Sequence, residues 1–369
     1  EDECLFVLPK DPLQETWHGR RLGPEGAMDN LGFGHSEVNS EFKSAAVKAI
    51  TSCKRLWHSV GTNSELDALV ADTCKSLRAK SRLGESAPQT ILDHAPVVNE
   101  MRLIKSSDEI ELMQTASTIS AQAHAVAMSQ AQPQMREYEI EAILHHYFRA
   151  HGGHGDGWAY PSIVAGGANA CILHYTENDQ VLGDGDLLLI DAGAEYQGYA
   201  ADITRTFPVN SKFSAVQRDV YQVVLDAQKA TIDYCRSGNN FHGGHDLASK
   251  ILAQGLIDLK IIEGSLDECL ENQTYKRFTI HNTSHWLGLD VHDCGDYYVD
   301  GESRPMQPGM VLTVEPGLYF ASDDQTVPEA FRGIGVRIED DVHVTSGEPE
   351  VLTSEVPKEI GEIEHQCSN

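Results

Sequence analysis

Five residues in the second half of the chain have types and settings suited to metal-assisted hydrolysis. Asp191 closes the run Asp186-Leu-Leu-Leu-Ile-Asp191 ahead of Ala192-Gly193, and Asp202 opens Asp202-Ile-Thr204-Arg-Thr206. His285 stands in Thr283-Ser-His285-Trp-Leu-Gly-Leu-Asp-Val-His292, Glu315 in Val311-Leu-Thr-Val-Glu315-Pro-Gly317, and Glu339 in Gly335-Val-Arg337-Ile-Glu339. Each lies in or beside an apolar, strand-like run. A carboxylate at the end of a buried strand is costly as an unpaired charge. It reads either as a turn or cap residue or as a ligand in want of a cation. Four carboxylates and one imidazole form a hard, oxygen-rich set that suits Mn²⁺, Co²⁺ or Zn²⁺ sharing carboxylates, and not a thiolate zinc site. Two such ions roughly 3.5–4 Å apart acidify a shared water and stabilise charge on a scissile carbonyl, so the natural chemistry is hydrolysis. The linear order leaves open whether the five converge.

The elements that must position them alternate irregularly. Apolar residues at Ile110, Leu112, Met113, Ala116, Ile119 and Ala123 predict a helix from an N-cap at Ser107 to Gln130, and a second follows over Glu137 to Ala150. The glycine-rich stretch His151 to Gly157 matches neither GxGxxG nor a Walker loop and reads as a flexible connection. Strands are expected around Ile172 to Tyr175, Leu187 to Ala192 and Asp202 to Phe207, then helices over Val216 to Cys235 and His245 to Leu259. Further strands are expected at Arg277 to His281, Val311 to Val314 and Val336 to Val344, with a solvated acidic tail after Glu348. Without a regular βαβ period the class is α+β. Pro88 and Pro96 precede a domain edge, giving a partial amino-terminal domain over residues 1–104 and a catalytic domain over 105–369.

Composition narrows the function classes. The 369 residues include 28 Lys plus Arg against 56 Asp plus Glu, a formal charge of −28, and no basic run interrupts it. Nucleic acid and anionic membrane surfaces are therefore not expected partners. No apolar stretch reaches the roughly 18 residues of a membrane span, and Glu1-Asp2-Glu3 lacks the features of a signal peptide, so a soluble, cytoplasmic protein is expected. The eight cysteines form no CxxC pair and read as reduced thiols. His145, His146, His242 and His245 read as surface or capping residues, and Trp286 as core.

The ordered blocks ILHYTEN, LLLIDAGAEYQGYAADITRTFPV, SHWLGLDVHDCG, GMVLTVEPGLY and RGIGVRIEDDV resemble those of bacterial Xaa-Pro aminopeptidases, also called aminopeptidase P. These belong to the pita-bread metallopeptidases of family M24, alongside methionine aminopeptidase, prolidase and creatinase. The resemblance runs from about Trp17 to Glu364. It implies a pita-bread catalytic domain preceded by a truncated creatinase-like α/β domain. It also implies two divalent ions per subunit, manganese in most of the family. Asp191 would chelate one metal, Asp202 and Glu339 would bridge, and His285 and Glu315 would hold the other. Glu315 would also act as general base toward the bridging hydroxide or water. His174 and His292 would stabilise the reacting carbonyl, while His281, Arg337 and Tyr319 would form the substrate pocket. Trp17 would reach a neighbouring subunit's site in a homo-oligomer, a dimer or tetramer. Asn282 departs from the glycine that many members carry.

The expected activity is release of the amino-terminal residue from peptides with proline second. The Xaa-Pro bond is a tertiary amide without an N–H and requires a dedicated pocket. The alternatives are prolidase, restricted to Xaa-Pro dipeptides, and a non-catalytic pita-bread binding protein.

Overall fold

The computed structural model describes residues 3–153, 155 and 157–368 and divides the chain into two compact units, Glu1–Val98 and Asn99–Asn369. The division falls within the helix Ala95–Leu103, a few residues before the edge expected at residue 104. The smaller unit pairs Leu5–Val7 with Ser36–Val38 and Arg55–Trp57 with Thr90–Leu92, both in parallel. Parallel pairing needs a crossover, and helices Gly23–Leu31 and Ser64–Ala79 lie within the intervening chain.

In the larger unit the helices follow the periodicity of the sequence. Ser107–Gln130 buries Met113, Ala116, Ile119, Ala123 and Ala127. Its N-cap is Ser106, one residue before the expected cap, because Glu109 sits at the third helical position and completes a capping box with Ser106. Glu137–Ala150 has the expected limits. Ala215–Tyr234 shifts by one residue, and Phe241–Asp258 starts four residues earlier than expected because Asn240 caps it.

The strands depart further from the sequence pattern than the helices do. Leu187–Asp191 is the centre of an antiparallel sheet between Ile163–Gly166 and Thr204–Pro208, with Asp191 opposite both Ile163 and Thr204. The outer strand is therefore Ile163–Gly166, whereas Ile172 to Tyr175 is irregular and follows the 3₁₀ turn Gly167–Cys171. Arg277 to His281 is not a strand either. It leaves the 3₁₀ turn Thr274–Arg277, and the Tyr275 carbonyl takes the N–H groups of both Phe278 and Thr279. Val311–Val314 pairs with Asp340–His343, and Gly317–Tyr319 with Gly335–Arg337, so the expected strand Val336 to Val344 is broken at Ile338-Glu339. The acidic tail is not solvated throughout: Val356, Ile360 and Ile363 join the main core, which also contains Phe148, Phe207, Tyr221 and Phe320. Trp286 is fully buried, as expected. The eight cysteines are all free. The loop expected over His151 to Gly157 includes His154 and Asp156, which lie outside the described residues. Among the described residues no helix is long and apolar enough to cross a membrane.

Candidate metal centre

The two sheets and the loop between Phe278 and His292 bring the five sequence candidates together. Asp191 ends the central strand Leu187–Asp191, and its backbone pairs with Thr204 next door. Asp202 stands just before the partner strand Thr204–Pro208, with its own N–H donating to Asp341 Oδ2 at 3.1 Å. Glu339 occupies the break between Gly335–Arg337 and Asp340–His343, where its N–H donates to the Thr204 carbonyl at 3.0 Å. Arg205, fully buried, locks that break by donating to the Glu339 carbonyl at 2.6 Å and to Asp340 Oδ1 at 2.7 Å. Glu315 follows Val311–Val314, and its N–H donates to the Thr283 carbonyl at 2.8 Å, tying it to the loop that carries His285.

Ligand-capable atoms of Asp202, His285 and Glu339 all lie within 4.8 Å of one another. His285 Nε2 is 3.4 Å from Asp202 Oδ2 and 3.6 Å from Glu315 Oε1. Asp191 and Asp202 meet at one phenol: Tyr160 Oη lies 2.6 Å from Asp191 Oδ1 and 2.5 Å from Asp202 Oδ1. The four carboxylates are thus joined to the imidazole directly or through one intervening residue. They line a cavity of about 870 Å³ with His174, His281, His292 and Arg337.

The electrostatics of the cluster demand a cation. Burial, with Asp191 beside it, raises the Asp202 carboxyl. Burial, with Asp202 and Glu315 beside it, holds Glu339 well above the usual carboxylate range. Burial pushes Glu315 up to about 7 against the opposing pull of His285 and Arg337. The guanidinium is already engaged, with Nη2 donating to Asp191 Oδ2 at 2.6 Å. His285 Nδ1 lies 3.0 Å from the Trp286 carbonyl, so the hydrogen bond places the proton on Nδ1 and leaves Nε2 facing two carboxylates. An acceptor aimed at acceptors is unfavourable unless a proton or a metal lies between them. Burial opposes charging of His285, but Asp202 and Glu315 raise its pKa to about 9, so a proton fills that role when no metal does. The donor set therefore fits divalent metal, whose binding displaces the proton.

The remaining candidates fall into two layers. His174 and His292 line the cavity, and the His292 ring packs edge-on against His285 at 4.4 Å. Burial and then the His285 charge lower the pKa of His292. His281 also lines the cavity, with burial and then Arg337 bringing it down to about 4, so it is neutral at pH 7. Its Nδ1 lies 2.8 Å from the Asn282 carbonyl and 3.5 Å from Glu315 Oε2, while Nε2 meets the Tyr319 hydroxyl at 2.7 Å. Tyr319 is buried behind this wall and also accepts from Arg337 Nη1 at 3.1 Å, so it braces two pocket residues and does not line the cavity itself. Trp17 belongs to the helix Pro12–His18 of the smaller unit and is 76% exposed.

Several residues of the site escaped the sequence reading. Tyr160 stands three residues after the glycine-rich run, and the aromatic-proline pair Tyr160-Pro161 was its only local signal. Thr204 Oγ1 donates to Glu339 Oε2 at 2.6 Å, and Thr313 Oγ1 to Glu315 Oε1 at 3.4 Å, each hydroxyl two residues from a candidate ligand in sequence or space. His242 and His245, expected as surface or capping residues, line the cavity from the first turns of the helix Phe241–Asp258.

A model of metallopeptidase family M24 matches residues 111–346, and a model of the aminopeptidase P N-terminal domain matches residues 1–57. The chain is 47% identical to the Xaa-Pro aminopeptidase of Haemophilus influenzae over 365 residues, 99% of this chain and 81% of that relative. It is 44% identical to the Xaa-Pro aminopeptidase of Escherichia coli over 360 residues, 98% of this chain and 81% of the relative. The solved structure of Pseudomonas aeruginosa aminopeptidase PepP superimposes with a TM-score of 0.94 at 42% identity, covering 99% of this chain and 82% of that one.

Proposed function

The chain belongs to metallopeptidase family M24, in its aminopeptidase P group, and from that premise we propose that it is an Xaa-Pro aminopeptidase, releasing the first residue of peptides whose second residue is proline. It is a metal-dependent hydrolase with the α+β pita-bread fold. The observation that carries the reading is the meeting of Asp191, Asp202, His285, Glu315 and Glu339 around one cavity, with burial and mutual repulsion leaving that cluster short of positive charge. These five would hold two divalent ions, which we assign as Mn²⁺.

Bound there, the ions would supply a nucleophilic water at neutral pH and polarise the scissile carbonyl. Glu315 takes the proton of that water. Its carboxylate is buried and faces the same cavity as His285 and Asp202, a position from which it would accept that proton and return it to the leaving proline nitrogen. His292 and His174 face the same cavity and donate to the carbonyl oxygen as charge develops on it. His281, neutral and held by Asn282 and Tyr319, presents a fixed wall to the proline ring, and Arg337 fixes the orientation of Asp191. The amide of an Xaa-Pro bond has no N–H to offer, so binding rests on shape and on the carbonyl.

The identity of 44–47% to bacterial Xaa-Pro aminopeptidases favours this reading over prolidase. All five ligand types stand in place, which argues against a binding protein without catalysis. We place the protein in the cytoplasm as a homo-oligomer, dimer or tetramer, with Trp17 offered to a neighbouring copy.

The test is hydrolysis of Ala-Pro-Ala and of Ala-Pro by metal-stripped protein, with and without added Mn²⁺. Mn²⁺-dependent release of alanine from the tripeptide is expected. Cleavage confined to the dipeptide would identify a prolidase, and no cleavage with Mn²⁺, Co²⁺ or Zn²⁺ would leave only a binding role.

A further inference from the structure

His285 and His292 hang from one loop whose two ends are held unequally. His285 is fixed by the strand Val311–Val314: its N–H donates to Thr313 Oγ1 at 3.1 Å, and its carbonyl receives the Thr313 N–H at 3.0 Å. The Leu287 N–H continues this pairing to the Val311 carbonyl at 3.1 Å. His292 lies outside every strand among the described residues. Its chain neighbour Asp293 closes the loop, with the Asp293 N–H donating to the Trp286 carbonyl at 2.9 Å. The Asp293 carboxylate is in turn gripped by two cations: Lys105 Nζ lies 3.1 Å from Oδ2, and Arg102 Nη2 lies 2.5 Å from Oδ1. The Lys105 and Asp293 side chains are each 1% exposed. The pair leaves no spare room, since a Cβ on Gly288 in the middle of the loop would fall 2.2 Å from Asp293 Oδ2 and 2.9 Å from Lys105 Cε. Lys105 is itself tied to the frame: its N–H donates at 2.8 Å to the carbonyl of Gly309, two residues before the strand that leads to Glu315.

We propose that Lys105 and Asp293 are positioning residues for the hydrolytic step, a buried ion pair that sets the direction of His292. The proposal deepens the Xaa-Pro aminopeptidase reading and rests on it. Neither residue lines the cavity, so the pair acts through its neighbour and not on the substrate. The single backbone bond from Asp293 to Trp286 fixes the span of the loop but leaves rotation about that bond free. A carboxylate charge-bonded through both oxygens removes the rotation, because such bonds carry geometric specificity as well as energy. His292 immediately precedes that anchor, and its ring packs edge-on against His285 at 4.4 Å. A shift at Asp293 therefore moves His292 relative to the metal ligand beside it, and a misplacement of about 1 Å costs about 10²-fold in rate. His285 is held by the strand instead, so metal binding does not depend on the pair. Net stability is a poor explanation for burying these charges, since their desolvation offsets much of their attraction.

The test is a double-mutant cycle on the Mn²⁺-loaded full chain with Ala-Pro-Ala, using Lys105→Met, Asp293→Asn, His292→Ala and each of the first two combined with the third. Lys105→Met leaves Arg102 as partner to Asp293, and Asp293→Asn keeps the volume, so either carries the test should the other misfold. Each is expected to lower kcat about 10- to 100-fold, with KM within about twofold of wild type. Mn²⁺ stoichiometry and affinity by calorimetry should match the wild-type protein. In the His292→Ala background the same substitutions should lower kcat by less than about twofold, because groups that act through one another are not additive. A full additional loss in that background would overturn the positioning role and leave a structural one. So would unchanged kcat in a folded variant, loss of Mn²⁺ binding along with activity, or failure of both variants to fold. Absence of alanine release by the wild-type protein would instead overturn the activity, and the positioning role with it.

Discussion

Glu315 illustrates how one residue serves two demands. As a ligand it must be ionised beside a cation, and as a base it must hold a proton briefly. Without a metal, burial pushes it up to about 7, so a buried carboxylate near three others is costly. Glu315→Gln keeps the shape and removes both the charge and the proton acceptor. Turnover of an Xaa-Pro tripeptide is expected to fall about 10²–10⁴-fold, the usual contribution of a positioned base. In the metal-free protein the same change relieves like-charge crowding, so its thermal midpoint should not drop. Steady-state kinetics and thermal unfolding of the stripped variant check the two halves separately, and retained turnover would remove Glu315 from its role as base. Neighbouring Thr313 and Thr204 hold the Glu315 and Glu339 carboxylates by single hydroxyls, so orientation in this site depends on groups that carry no charge.

At the scale of elements, the turn after the Leu187–Asp191 strand is the most constrained part of the site. A Cβ on Gly193 would fall 1.7 Å from the Ala201 carbonyl oxygen, a backbone atom that cannot move aside without shifting the chain between Asp191 and Asp202. That close approach keeps the two aspartates on one phenol, Tyr160. Gly193→Ala is therefore expected to abolish Mn²⁺-dependent hydrolysis and to weaken metal binding measured by calorimetry. Gly361→Ala, where nothing lies within 4 Å of the added carbon, should change neither. Normal metal binding in Gly193→Ala would show that the turn has slack. The same element explains what could be read from sequence. Asp191 and Glu315 were legible because each ends a run of buried β-formers, a local pattern. The four long helices of the larger unit were legible from their stripes, with cap residues Ser106 and Asn240 moving the starts of two. His281 and His285 were legible as chemistry but not as structure, because the loop carrying them bonds to the neighbouring strands' edge and to its own 3₁₀ turn instead of forming a strand. Tyr160, His242 and His245 could not be placed at the site from local pattern, since what brings them to the cavity is packing between segments distant in sequence.

For the molecule as a whole, the formal charge of −28 sets a balance between the surface and the interior. Interior ion pairs are local and paired: Arg205 and Lys358 bracket Asp340, which they hold down to about 2 against the effect of burial. Salt in the solvent screens such buried pairs little. The excess negative charge lies elsewhere, and unpaired surface carboxylates repel one another in the folded state more than in the expanded chain. Raising NaCl from about 0.01 M to about 1 M shortens the Debye length from roughly 30 Å to roughly 3 Å, which removes that repulsion. The thermal midpoint of the Mn²⁺-saturated protein is therefore expected to rise with NaCl, the gain coming mostly below about 0.15 M, where the screening length crosses the spacing of surface charges. Saturating the metal site beforehand separates this effect from the stabilisation that a bound ligand gives by mass action. Arg205→Met would lower the midpoint by leaving Asp340 with Lys358 alone, at a cost of about 3–5 kcal/mol for breaking a buried pair. It should nevertheless retain the same upward salt dependence. A flat or falling midpoint in the wild-type protein would mean that the exposed ion pairs, such as Lys212–Glu364 and Arg218–Glu364, contribute more to stability than the net repulsion removes.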